Sequence, residues 1–143
     1  IKLMDSLDVI QCLPQRYPFL FIDKIISCDY LKFAKASKAI TYNEWFFQGH
    51  FPNNPVLPGN IIIEMMAQTI GIMLYSKTEK VLKSDLGYMA KCNVKFFEKI
   101  KPGVVLTTEA TCLGLYEDFC KAKVAAYKNE TLVAGGEIII SFR

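Results

Sequence analysis

The run GHFPNNPVLPGNIIIEMMAQ, Gly49 to Gln68, holds the only histidine of the chain, His50, and one carboxylate, Glu64, in otherwise apolar surroundings. Imidazole titrates near neutral pH and is the commonest general base. A carboxyl group in a dry setting has a raised pKa and keeps a proton that an exposed one would lose. Gly49 before His50 and Phe51 and Pro52 after it constrain the backbone, and the apolar neighbours favour the neutral ring. Pro58 and Gly59 stand where a helix would start. The first amides of a helix lack carbonyl partners and carry partial positive charge, and at Gly59 no Cβ blocks their approach to a carbonyl oxygen. Base, acid and oxyanion donor thus fall within fifteen residues.

Each of these residues also has a plainer reading. A lone histidine is often a capping or hydrogen-bonded structural group, and Glu64 could pair with a buried Arg or Lys or reach a rim. Asn60, Glu64 and Gln68 recur at steps of four, so on a helix they form one polar stripe. Such a stripe is either the wall of a site or a satisfied seam in which Gln68 bonds a core carbonyl.

The elements that must position these groups follow from pattern. Gly59 to about Lys77 has strong helix formers, no proline after Pro58, and apolar residues on almost every side, which predicts one long buried helix. Asn43 to Pro58, with Trp45, Phe46, Phe47 and Phe51 among its prolines, predicts a rigid loop. A short helix is expected from an N-cap at Asp5 or Ser6 up to Pro14. Strands are expected over FLFIDKIISCDY and FAKASKAITY, split near Leu31 and Lys32. More follow over LGYMAKCNVKFF, VVLTTEATCLGLY, DFCKAKVAAYK and TLVAGGEIIISF, the last after a turn at Lys128 to Glu130; KTEKVLKSD reads as a polar connector. The plan is α+β: about six strands in a curved, mostly antiparallel sheet around one helix, in a single domain spanning 1–143.

Composition narrows the function classes. At 143 residues, 52% hydrophobic and 22% charged, the chain can build a real core, and its apolar excess points to an oligomer. A net charge of +3 without a Lys/Arg block argues against nucleic-acid binding. The longest apolar window, Ile61 to Leu74, is interrupted by Glu64 and Gln68 and falls short of the roughly 20 residues of a membrane span. No charged-then-apolar leader precedes Leu3. Five cysteines, none in a C-x-x-C pair, suggest neither zinc nor redox chemistry and fit a reducing, cytoplasmic compartment.

RYPFLFIDKI, GHFPNNPVLPG, IIEMMAQ and VKFFEKIKPG, in this order, resemble the β-hydroxyacyl-(acyl-carrier-protein) dehydratases of the FabZ type. The resemblance covers nearly the whole chain and implies a hot-dog fold. It implies reversible dehydration of a (3R)-3-hydroxyacyl thioester to the trans-2-enoyl thioester, on the phosphopantetheine of an acyl carrier protein, without metal or redox cofactor. It implies a homodimer with sites at the dimer interface, which could assemble further as a trimer of dimers. His50 and Glu64 match the catalytic pair, Gly59 the thioester-carbonyl donor and Gln68 the glutamine beside them, while Phe51, Pro58 and Asn60 are expected against the substrate. Arg16, Lys91, Lys95, Lys99 and Lys101 are candidates for drawing in an acidic carrier. The chain departs from the family pattern at Gln15, usually His, at Asn60, usually apolar, and at Phe97, often basic. The alternatives on the same residues are a thioesterase using Glu64 to activate water and a non-catalytic acyl-binding partner.

Overall fold

The computed structural model describes residues 6–76 and 87–143. Helix α1 (Ser6–Cys12) stops short of Pro14, and Arg16 turns back to donate to the carbonyls of Ile10 (2.9 Å), Leu13 (2.6 Å) and Gln15 (2.8 Å). The guanidinium therefore serves the open carbonyl end of α1 rather than standing free for a partner. The N-cap expected at Asp5 lies outside the described residues. Strand β1 (Lys24–Asp29) pairs antiparallel with β2 (Phe33–Ile40), and Leu31, at φ 64°, makes the turn between them. The first strand was expected from Phe19 but begins at Lys24. The residues before it join no ladder, and the Phe21 amide donates instead to the Gln68 side chain (2.9 Å).

A 3-10 turn, Trp45–Gln48, interrupts the aromatic loop before helix α2 (Gly59–Tyr75). The connector 77–85, and Lys77 as the expected helix end, lie outside the described residues. Then come β3 (Tyr88–Phe96), β4 (Val104–Leu115), β5 (Phe119–Lys128) and β6 (Thr131–Ser141). Asn129, at φ 56°, turns β5 into β6 where the sequence predicts it. The six strands form one sheet in the order β1-β2-β4-β5-β6-β3 with every pairing antiparallel.

Helix α2 touches all six strands, so the sheet curves around it. Ala34, Ala36, Ala110, Ala122, Ala126 and Ala134, all 0% exposed, line the inner face, and their small side chains let the backbone close around the bulky Met65, Met66, Ile70, Ile72 and Met73. Each large apolar side chain buried here contributes about 2 kcal/mol. A buried polar contact crosses this interface. Thr69 donates to the Met65 carbonyl (2.8 Å), so the buried Thr108 hydroxyl, 2.6 Å away, donates to Thr69. Among the described residues no helix is long and apolar enough to cross a membrane.

Strand β3 bonds to β6 on one side only and is exposed along most of its length, which makes it an open edge. Its seat on β6 depends on Gly136, where an added Cβ would lie 2.0 Å from the Asn93 carbonyl oxygen. Gly136→Ala is therefore expected to lower the stability read from urea unfolding by about 3 kcal/mol or more. Gly49→Ala, whose Cβ would meet nothing within 4 Å, should stay within about 1 kcal/mol of the parent.

Candidate active site

His50 is held by the loop that carries it. Phe51 and Asn54 exchange backbone hydrogen bonds (3.1 and 3.0 Å), which folds the intervening residues into a tight turn and brings Val56 back to His50. The Val56 amide donates to the His50 carbonyl (3.0 Å), and His50 Nδ1 lies 2.8 Å from the Val56 carbonyl. A carbonyl oxygen only accepts, so Nδ1 carries the hydrogen and Nε2 of the neutral ring presents its lone pair. The Phe51 ring stacks on the imidazole at 4.0 Å between centroids. The tautomer and the ring plane are both fixed.

The imidazole opens into a cleft of about 410 Å³ lined by Gly59, Ile62, Phe96, Phe97 and Lys99 among others. Pro58 is the N-cap of α2 and has no side-chain acceptor to offer, so the Gly59 amide is free of any helix partner. The Phe96 ring lies over Gly59, 3.0 Å from where a Cβ would stand, so a side chain here would make that ring give by a few tenths of an ångström. The candidate base and the candidate oxyanion donor therefore share one cleft. Lys91, Lys95, Lys99 and Lys101 are exposed along β3 and the segment after it, and Lys99 lines the cleft.

Glu64 faces elsewhere. It lines a second cavity of about 260 Å³ with Gln15, Phe19, Gln68, Tyr88 and Met89 among its walls. The sequence places base, acid and donor close together, but an α-helix advances about 100° per residue, so Ile62 and Glu64 point to opposite sides of α2. Within one chain the fold brings His50 to Gly59 and Glu64 to Gln68, and it keeps the two pairs in separate cavities. Asn60, on the same stripe, is exposed on the first turn and lines neither cavity, and neither do Pro58 or Phe51.

Gln68, 1% exposed, spends its whole amide on orienting Glu64. Its Oε1 accepts from the Phe21 amide (2.9 Å), which forces Nε2 to face the Phe19 carbonyl (2.8 Å) and Glu64 Oε2 (3.0 Å). The expectation that Gln68 bonds a backbone carbonyl is met at Phe19, and the same side chain also reaches Glu64. Because Oε2 accepts from Gln68, a proton on Glu64 sits on its other oxygen. Burial raises the Glu64 pKa, and the Gln68 hydrogen bond offsets part of the rise. Phe96, Tyr88 and Met89 line these cavities with no sequence signal that singles them out, and Phe97, a departure from the family pattern, joins Phe96 in the His50 cleft.

Residues 13–143 match the family model described as a FabA-like domain. The chain is 41% identical over 140 residues to the 3-hydroxyacyl-[acyl-carrier-protein] dehydratase FabZ of Caldicellulosiruptor saccharolyticus, covering 97% of this chain and 99% of that one. It is 38% identical to the protein of the same name from Clostridioides difficile, covering 94% of each. Among solved structures it resembles a chain of the dehydratase heterocomplex ApeI:P from Xenorhabdus doucetiae, with TM-score 0.78 and 22% identity over 94% of this chain and 90% of that one. It also resembles a hypothetical thioesterase with coenzyme A from Streptococcus pneumoniae, with TM-score 0.65 and 12% identity over 96% and 92%. At those identities the structural likenesses bear on the fold, which is the hot-dog fold that the sequence suggests. With matches of such identity and extent, this chain belongs to the FabZ family of 3-hydroxyacyl-[acyl-carrier-protein] dehydratases.

Proposed function

We propose that the chain reversibly dehydrates (3R)-3-hydroxyacyl thioesters carried on an acyl carrier protein to the trans-2-enoyl thioesters, using sites assembled from two copies of the chain. The observation that carries the reading is His50, whose Nδ1 is taken by the Val56 carbonyl so that Nε2 is the nitrogen left for substrate, sharing its cleft with the unpaired Gly59 amide. In this scheme Gly59 N–H donates to the thioester carbonyl and stabilises the enolate-like charge while His50 Nε2 takes the C2 proton. The C3–O bond then breaks as Glu64 protonates the departing hydroxyl, and water leaves. Protein groups fill all three roles, so the scheme calls for no metal or redox cofactor. Free cysteines and a carrier-bound substrate support a cytoplasmic setting.

The edge strand supports the two-chain site. The Glu64 cavity lies at the start of β3, by Tyr88 and Met89, and the His50 cleft at its end, by Phe96 and Phe97. If two copies pair their β3 edges antiparallel about a twofold axis, the start of one β3 meets the end of the other. His50 and Gly59 of one copy would then face Glu64 and Gln68 of its partner. Such pairing would also cover an open edge and the exposed Tyr88, Phe96 and Phe97. The lysines along this edge suit an acidic carrier, and Arg16, engaged at the end of α1, is withdrawn from that group.

Incubation with a 3-hydroxyacyl pantetheine while following enoyl absorbance and free thiol together tests the activity. Enoyl product without thiol is expected; thiol release would indicate a thioesterase, and neither signal a binding module. His50→Ala and Glu64→Gln should each lower kcat by at least about 10²-fold with unchanged circular dichroism. Turnover within a few-fold of the parent removes that residue from the mechanism.

The raised pKa of Glu64 gives a stability prediction with a definite sign. Below the ordinary carboxylate range both folded and unfolded chains hold the proton, and the group adds no pH dependence. Above it the unfolded chain ionises first, so the folded state loses relative stability until the folded pKa is passed. Glu64→Gln, which can still accept from Gln68, should therefore melt level with the parent at pH 4 and above it at pH 8. An equal gap at both pH values contradicts the shift.

A further inference from the structure

The Glu64 cavity extends along one side of α2 as far as Tyr75. Its helix residues are Glu64, Ala67, Gln68, Gly71, Leu74 and Tyr75, whose steps of three and four follow one face. From Met65 to Leu74 every residue except Ala67 and Gly71 is buried, so the cavity is where this enclosed helix meets open space. A Cβ added at Gly71 would press on the tip of the Leu13 side chain, at 3.0 Å, and on no backbone group. The fold of the main chain therefore does not demand glycine there, although glycine within a helix costs stability relative to alanine. What the missing side chain leaves is room, with Leu13 as the facing wall. Eleven residues separate Glu64 from Tyr75, about 16 Å along the helix axis. The Tyr75 hydroxyl accepts from the Gly87 amide (3.0 Å), which ties the ring across to the chain entering β3. Gly87 is itself pressed against β6, where an added Cβ would collide with Ile140. Tyr75, Gly87 and Ile140 thus form the wall of the cavity remote from Glu64.

Resting on the dehydratase reading above, we infer that Tyr75, tied to Gly87, is the stop that sets the length of acyl chain this site accepts. With C3 held at Glu64, the carbons beyond it run past Ala67 and Gly71 toward the Tyr75 ring, between Leu13, Leu74, Met89 and Ile140. These apolar walls take methylene groups out of water, so affinity grows with each carbon until the ring is reached. An acyl chain of about ten carbons lies within the span from Glu64 to Tyr75, and one of sixteen overruns it. A longer tail has to fold back or remain in water, and it adds nothing to binding. Gly71 and Tyr75 act in opposite senses: the first keeps the path open one turn before the second closes it. The site therefore selects short and medium 3-hydroxyacyl groups over long ones.

The test measures binding of saturated acyl pantetheine amides, which neither dehydrate nor release thiol, by calorimetry across a series from butanoyl to hexadecanoyl. In the parent, affinity should rise roughly fourfold per methylene up to about the decanoyl amide and then level off. Tyr75→Ala should carry the rise on to longer chains, so that the hexadecanoyl-to-decanoyl affinity ratio grows at least about tenfold. Gly71→Leu should move the break the other way and lower the decanoyl-to-butanoyl ratio by about tenfold or more. Loss of folding cannot shift the break in opposite directions in the two variants. With 3-hydroxyacyl thioesters on the carrier protein, the kcat/KM ratios should follow the same order. A parent series that climbs without a break, or a break that stays in place in both variants, overturns the inference. The two readings fail separately: a parent that forms no enoyl product contradicts the dehydratase assignment, while the amide series judges the stop without any turnover.

Discussion

Along its 17 residues α2 exposes only Asn60, and a helix apolar on nearly every side has to be enclosed. One sheet of six strands does this by bending, and the alanines on its inner face keep the curve tight. The open edge of that sheet is a direct consequence. A curved sheet that stops short of closing leaves an end strand, β3, with β6 as its one neighbour among the described residues, and β3 borders both cavities. The helix that builds the core therefore also keeps Gly59 and Glu64 apart within one chain, since they leave it in different directions.

Both candidate reactive side chains are oriented by backbone groups that secondary structure has not consumed. The Val56 carbonyl fixes the His50 tautomer. The Phe19 carbonyl and the Phe21 amide fix the Gln68 amide, which in turn fixes Glu64. This accounts for the late start of β1: residues whose amides served a ladder could not also hold the glutamine. It also separates the two electrostatic tasks. Burial raises the pKa of the carboxyl, while one directed N–H limits the rise and chooses which oxygen bears the proton. Preorganisation of this kind places the reacting groups before substrate arrives.

The helix, the loop before it and five of the six strands were legible because apolar period and turn residues agree locally, as at Leu31 and Asn129. The start of β1 was not, because β propensity in FLFID is real but tertiary hydrogen bonding to Gln68 overrides it. At the site, His50, Gly59, Glu64 and Gln68 stood out from residue type and spacing. Their division into two cavities did not, because closeness in sequence says little about direction once the chain enters a helix. Asn60 looked equivalent to Glu64 by spacing, yet one turn at the start of the helix separates solvent from interior. Gln15 showed only as a departure from the family pattern. That its side-chain oxygen is buried without a hydrogen-bond partner is a property of three-dimensional packing that no local pattern encodes.

The claim on which the account turns is that His50 and Glu64 act together only across two chains. Equal amounts of His50→Ala and Glu64→Gln protein, each nearly inactive, can be unfolded together and refolded so that about half the dimers are mixed. In a mixed dimer with shared sites, one site carries both lesions and the other carries none, so activity should return to roughly a quarter of the parent level. No recovery, with mixed dimers confirmed by native mass spectrometry, would show that each chain supplies its own pair and would contradict the account.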